Sequence, residues 1–173
     1  MIKADWRKVA ACTGFCVGTL VLPFAAPVAA ADHQSLHGTF RETAIGARLG
    51  YNISGLAKLT IETNATTATV NIAGLDPTLV YGSHLHNGTC ASLGGGHYQN
   101  VPGAGAAPPN ELWLSSTADP AGSLVPNNGG AAHGQGTSPW AARIDSAAPA
   151  TNARSIIVHQ PGGGARIACA DLA

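Results

Sequence analysis

The chain has 173 residues, with nine basic and nine acidic side chains that give a formal net charge of zero. Hydrophobic residues make up 45% and charged residues 10%, and no basic block marks nucleic acid or an anionic membrane surface as a partner. Glycine is abundant, and few segments have apolar residues at the three- and four-residue spacing of a helix, which disfavours an all-helical fold.

The N-terminal segment has the pattern of a secretory signal peptide. Lys3, Arg7 and Lys8 precede an apolar run that ends in small residues before Asp32, and such a segment is removed on export. We therefore predict a signal peptide over 1–31, a single domain over 32–173, and a location outside the cytoplasm, whether extracellular, cell-wall or periplasmic. The alternative is a membrane anchor, which the glycines and prolines inside the apolar run disfavour.

Export would leave two cysteines, Cys90 and Cys169, because Cys12 and Cys16 lie in the signal segment. Two cysteines in an oxidising compartment allow one pairing. In the chain-entropy model, closing so long a loop stabilises the fold by about 4–5 kcal/mol. About 142 residues remain, which is enough for one domain with a proper core.

Eight segments of this domain have strand character, because they are short, rich in Thr, Val and Ile, and bounded by turn residues. In chain order they are 36–44, 57–63, 67–75, 78–86, 112–118, 139–145, 154–159 and 165–172. The segments 98–110 and 124–138 are rich in glycine and proline and are predicted to be long loops. We predict an all-β antiparallel sandwich or barrel.

Four histidines stand at positions that could hold a metal ion. His84 and His86 project from one face if "YGSHLH" is a strand, and imidazole suits copper, zinc, iron and nickel. His97 follows a glycine run, and His159 ends the apolar strand "SIIVH". Taken one at a time, each of these is more typical of a solvated or core-edge histidine.

Taken together, the segments resemble the copper/zinc superoxide dismutase family. The resemblance lies in "GSHLH", "GGGHY", "RSIIVH" and "ARIACADL", which occur in the family's order, and it extends through "KLTIETNATTATVNIAGL". It implies the family's eight-stranded Greek-key fold and the conversion of superoxide to dioxygen and hydrogen peroxide. It also implies a copper site formed by His84, His86, His97 and His159.

The resemblance assigns further roles near the copper site. It implies that Cys90 pairs with Cys169, and that Arg166 stands over the open copper face and attracts the superoxide anion. His97 would leave the metal on reduction and carry a proton, which suits a ring with an ordinary pKa near 6.5. Arg166 and His97 are therefore the predicted catalytic residues; the alternative for Arg166 is a surface arginine.

The sequence departs from the family in two places. Between His97 and the next strand it has no further histidine and only one acidic residue, Glu111, so a four-coordinate zinc site cannot be assembled from them. Only "QPGGGA" joins His159 to Arg166, where the family has a long charged loop. Both departures resemble the copper-only branch. We expect Glu111 to accept a hydrogen bond from His97; the alternative is a solvated glutamate.

The sequence thus predicts a secreted superoxide dismutase that uses copper, lacks zinc, and takes superoxide as its substrate. The alternative is a copper-binding or storage protein of the same fold without turnover. No role is predicted for His33, His37 or His133, and the oligomeric state is left open. Trp113 and Trp140 are expected to serve only in core or edge packing.

Overall fold

The computed structural model describes residues 33–117 and 122–173, so the predicted signal peptide lies outside the described residues. The strands are β1 (Gln34–Glu42), β2 (Ser54–Glu62), β3 (Ala65–Ala73), β4 (Tyr81–His86), β5 (Ser123–Leu124), β6 (Ala132–Ser138), β7 (Ser155–His159) and β8 (Arg166–Asp171). One short helix, α1 (Ala44–Arg48), and three single 3-10 turns, Cys90–Ser92, Pro149–Thr151 and Pro161–Gly163, accompany them. None of the helices in these ranges has the length and apolarity needed to span a bilayer.

The strands form one antiparallel sheet in the order β5-β4-β7-β8-β1-β2-β3-β6. Strands β1 to β3 are successive neighbours, and β8 returns to lie beside β1, which is a Greek-key arrangement. Residues 112–116 bridge the gap between the two edge strands: Ser116 N donates to Ser123 O of β5, and Ser115 pairs with Gln135 of β6. The sheet therefore curves into a nearly closed barrel, and the predicted fold class is confirmed.

Burial alternates along β2 and β3, because successive side chains of a strand point to opposite faces. The inward positions hold aliphatic residues, apart from the buried Thr66 of β3, and the outward ones are mostly polar or exposed. The buried aliphatic side chains of these two strands are Ala57, Leu59, Ile61, Ala68, Val70 and Ile72. In β7 every residue is buried, which places the C-terminal His159 at the edge of the core.

The prediction that 124–138 is one long loop is wrong, because its last seven residues form β6. The strand carries little apolar signal because two of its inward positions are glycines that other parts of the barrel pack against closely. A Cβ on Gly134 would meet the Leu124 side chain at 2.1 Å, and one on Gly136 would meet Trp113 O at 2.1 Å. Close packing across the barrel has replaced the usual β-branched residues there.

The prediction of a strand at 139–145 is also wrong. Its backbone groups bond to side chains and not to a neighbouring strand: Thr66 Oγ1 donates to Trp140 O at 2.6 Å, and Ala142 N donates to Thr66 Oγ1 at 2.8 Å. Arg143 N donates to the hydroxyl of Tyr98 at 2.9 Å. The described part of the predicted strand 112–118, residues 112–117, forms only isolated bridges, whereas 98–110 is a loop as predicted.

Candidate metal centre

Four imidazole rings converge beside the paired strands β4 and β7. His84 and His86 come from β4, His159 ends β7, and His97 bridges to His86 from the segment after the glycine run. The ring centroid of His84 lies 4.6 Å from that of His86, 4.0 Å from His97 and 4.7 Å from His159. One ring nitrogen of each residue lies within 4.8 Å of those of the others.

Backbone pairing to β4 sets this arrangement. Tyr98 N donates to Leu85 O at 2.9 Å, and Leu85 N donates to Leu112 O at 3.1 Å. The segments that carry His97 and Glu111 are thereby held against the strand that carries the first histidine pair. Residues far apart in the sequence are brought to one place by the hydrogen bonds of a single strand.

Hydrogen bonds fix the tautomers of two buried rings. His86 Nδ1 lies 3.2 Å from Gly94 O, and His159 Nδ1 lies 3.3 Å from Gly164 O. A carbonyl only accepts, so both Nδ1 atoms carry the proton and both Nε2 atoms are unprotonated. These two Nε2 atoms face each other at 3.4 Å. Two opposed lone pairs at that distance repel, and a cation between them would convert the repulsion into coordination.

The third buried ring, His84, differs from these two at its Nδ1. This atom is buried and has no hydrogen-bond partner among the described residues, which is costly unless another ligand takes it. Burial, and next the neighbouring His86, lower the pKa of His84 to about 2. Burial and the nearby His97 lower the pKa of His86 to about 3, and burial lowers that of His159. All three rings are therefore neutral at pH 7, which is the form that binds a metal.

His97 differs from the other three rings because its side chain is 33% exposed. Its Nδ1 donates to Glu111 Oε2 at 2.9 Å, and Glu111 is only 1% exposed. The bond expected from the sequence is therefore present, and it leaves the opposite ring nitrogen of His97, Nε2, as the one available to a metal ion. The exposed edge of the cluster lies at this ring.

Arg166 lies at the rim of the cluster, where β8 begins. Its Nη1 donates to Leu93 O at 2.6 Å and to Gly95 O at 2.7 Å. Its charge is among the causes that lower the pKa of His86 and of His159. The intervening Gly94 has a φ of +83°, and a Cβ there would meet the Ile157 side chain at 2.6 Å, so this turn requires glycine.

A disulfide joins Cys90 to Cys169 across 79 residues. Cys90 begins the 3-10 turn just before the loop that Arg166 holds, and Cys169 lies in β8. The bridge therefore ties the rim of the cluster to the last strand. Asp171 Oδ1 also accepts from Cys90 N at 2.7 Å and strengthens this attachment.

Two residues near the cluster were not singled out as functional from the sequence. The Trp113 ring packs against His84 with centroids 4.7 Å apart, and its Nε1 donates to Glu111 Oε2 at 3.1 Å. Gln99 Nε2 donates to Glu111 Oε1 at 3.0 Å. The spacing of Glu111 and Trp113, two residues apart on one extended segment, was the available signal. The remaining histidines, His33, His37 and His133, are exposed and lie outside the cluster.

The donor set fits a transition-metal ion that prefers imidazole. Four histidines supply converging nitrogens, and three of them have the second nitrogen bonded to a carbonyl or carboxylate, which is the usual partner of a metal-bound histidine. The uncompensated His84 Nδ1 is the observation that a bound ion would explain most directly. The centre can therefore hold one metal ion and leave it reachable on the His97 side.

No protein-family model matches the sequence, and neither does any curated protein sequence. Among solved structures, a point mutant of Candida albicans superoxide dismutase 5 is similar at 19% identity and a TM-score of 0.49, over 80% of this chain and 87% of that chain. The resemblance seen in the sequence is matched within the described residues by the nearly closed barrel of eight antiparallel strands, the four-histidine cluster and the Cys90–Cys169 disulfide.

Proposed function

We propose that the chain is a secreted, copper-dependent superoxide dismutase that works without zinc, formed by one domain over 32–173. The observation that carries the proposal is the convergence of four imidazole nitrogens within 4.8 Å, beside an arginine at the rim. Bound copper would supply the one-electron oxidation and reduction that the reaction requires and that zinc lacks. Two superoxide anions and two protons would give dioxygen and hydrogen peroxide.

In this proposal all four histidines hold the ion, and one of them, His97, also moves a proton. His84, His86 and His159 are buried, so their rings have little freedom to leave. His97 is one-third exposed and can exchange protons with solvent. Its Nε2 would take up a proton from solvent and supply it as one of the two protons of the hydrogen peroxide that forms, while bound copper would supply the electron. Because Nδ1 stays bonded to Glu111, the ring returns to the same position afterwards.

Arg166 is proposed to attract the anionic substrate. Both of its hydrogen bonds to described residues use Nη1, so Nε and Nη2 remain for an anion. A guanidinium keeps its charge at all working pH values and presents several donors in one plane. Its anchoring to Leu93 O and Gly95 O holds the charge at the rim.

The occupation of His97 Nδ1 supports copper without zinc. A second metal ion at this ring would need Nδ1 as a ligand, and in the structure that atom donates to Glu111. The other group of potential ligands in the described ranges is Cys90, Cys169 and Asp171. The two cysteine sulfurs of this group are joined in the disulfide, so they are not available as thiolate ligands. That disulfide also supports an oxidising compartment, and hence secretion.

Metal analysis and a superoxide-scavenging assay on copper-loaded protein test the proposal. We expect about one copper per chain, fast scavenging, and the loss of both copper and activity in His159→Ala, because one buried ligand is gone. His133→Ala is the matched control, since this exposed ring bonds to Asn71 and lies outside the cluster. Copper without scavenging would instead identify a storage protein, and absence of bound copper would refute the metal centre.

A further inference from the structure

The buried Glu111 carboxylate is fixed from both of its oxygens. Gln99 Nε2 donates to Oε1 at 3.0 Å, while Trp113 Nε1 and His97 Nδ1 donate to Oε2 at 3.1 and 2.9 Å. Two planar donors that hold opposite oxygens prevent the carboxylate from rotating. A carboxylate held by His97 alone would be free to turn about its last bond, and the ring would turn with it.

The loop 98–110 determines which end of the Gln99 amide faces the carboxylate. Gln99 Oε1 accepts from Gly103 N at 2.8 Å, so the amide NH₂ is directed at Glu111. Arg143 Nη2 donates to Gln99 O at 2.9 Å and holds the backbone of the same residue. The loop therefore presents a donor, in a fixed orientation, to the carboxylate that orients His97.

Trp113 links two members of the histidine cluster. Its indole N–H can only donate, and it is shared between Glu111 Oε2 and Ala106 O, at 3.1 and 3.2 Å. The same ring packs against His84. One side chain thus contacts a proposed copper ligand with its ring and the partner of another proposed ligand with its edge.

We propose that Gln99 and Trp113 are positioning residues that act through Glu111 to set the orientation of His97 toward the metal. This inference rests on the proposed copper site. Neither side chain contacts the ion in this scheme; each holds the carboxylate in the one orientation from which it fixes the Nδ1–H tautomer of His97. The loop 98–110 thereby has a function, which is to supply and orient one of the two donors.

Copper affinity, measured by competition with a chelator, tests this inference. Trp113→Phe keeps an aromatic ring beside His84 but removes the N–H together with part of the indole. Gln99→Met keeps the length but removes both the donor to Glu111 and the acceptor for Gly103 N. Loss of the hydrogen-bond partner of a metal ligand weakens binding about ten- to hundred-fold. Because Gln99 and Trp113 act one step further out, through that partner, we expect each substitution to weaken copper binding by about the lower figure, ten-fold. In a Glu111→Gln background neither should add a further loss, because both act through that carboxylate.

Two matched controls separate positioning from general loop damage. Trp140→Phe removes an indole N–H that donates to Pro109 O in the same loop, and Asn110→Ala removes side-chain bonds to Val101 and Gly105. Neither side chain forms a hydrogen bond with Glu111, so both substitutions should leave copper affinity unchanged. Full additivity with Glu111→Gln, or an equal loss in the controls, would overturn the inference.

The tautomer of His97 in the metal-free protein gives a second test that does not depend on copper binding. Nitrogen NMR of the metal-free protein should show His97 in a single Nδ1–H tautomer, and Gln99→Met should shift part of it to the other tautomer. An unchanged tautomer together with unchanged copper affinity would refute the positioning role while leaving the proposed function intact. Failure of the wild-type chain to bind copper would instead refute the proposed function, and this inference with it.

Discussion

The metal-free protein should lose stability on mild acidification because two histidine rings are buried in neutral form. The pKa of His84 is lowered to about 2 and that of His86 to about 3, chiefly by burial, whereas a histidine in an unfolded chain has a pKa near 6.5. Below pH 6.5 the unfolded chain therefore binds protons that the folded chain does not. Stability falls as pH falls, and the loss is already under way well above the folded pKa values.

Linkage gives the size of this loss between pH 7 and pH 5. Each buried neutral ring lowers the free energy of unfolding by about 2 kcal/mol over this range. The loss is the same for a folded pKa of 2 or 3, because both values lie far below pH 5. His84 and His86 together should therefore cost about 4 kcal/mol. That is a large part of the roughly 5–15 kcal/mol by which a domain is stable. Solvent does not weaken the effect of burial on these two rings, because His84 and His86 are only 3% and 0% exposed.

Urea unfolding of chelator-treated protein at the two pH values measures the effect. His84→Gln removes one titrating ring from both the folded and the unfolded state, so its loss between pH 7 and pH 5 should be about 2 kcal/mol smaller. His133→Gln, at an exposed position, should behave like the wild type. If His84→Gln and the wild type lost the same free energy, the ring would not be buried in neutral form.

Two further outcomes are expected. Replacement of Cys90 and Cys169 by serine should lower the free energy of unfolding by about 4–5 kcal/mol, since the disulfide spans 79 residues; a urea-measured loss below about 1 kcal/mol would contradict the loop-closure argument. Arg166→Gln should slow superoxide scavenging about ten-fold at low salt and reduce its salt dependence, while Arg166→Lys should recover part of the rate. A glutamine variant as fast as the wild type, with equal copper content, would remove Arg166 from substrate attraction.

The strands that alternate in burial could be predicted from the sequence, and those built on close contacts could not. β2 and β3 carry their aliphatic residues at every second position, which is the pattern of a half-buried strand. β6 has Gly134 and Gly136 where such residues would stand, because Leu124 and the Trp113 backbone fill the space. The side chain that packs above a glycine is determined by the folded barrel. It cannot be predicted from the local sequence pattern.

The candidate site divides in the same way. The four histidines could be predicted because their spacing and order can be compared with those of a known family directly in the sequence. The Glu111–His97 bond could be expected because a metal-bound ring needs a partner and the segment holds one acid. Gln99 and Trp113 were missed because their role depends on the path of the loop 98–110, and a Gly/Pro-rich sequence does not specify that path.

The charge of Glu111 explains how His97 could carry a proton and remain in place. A metal ion at Nδ1 would require that nitrogen to be deprotonated, whereas a carboxylate requires it to be protonated. When Nε2 of His97 takes up a proton, the ring becomes a cation whose Nδ1–H points at an anion 2.9 Å away. The bond between them then strengthens into a charge-assisted one. Under the proposed function, Glu111 would thus hold the ring most firmly when no metal holds it, and the two donors on Glu111 would keep that anion in place.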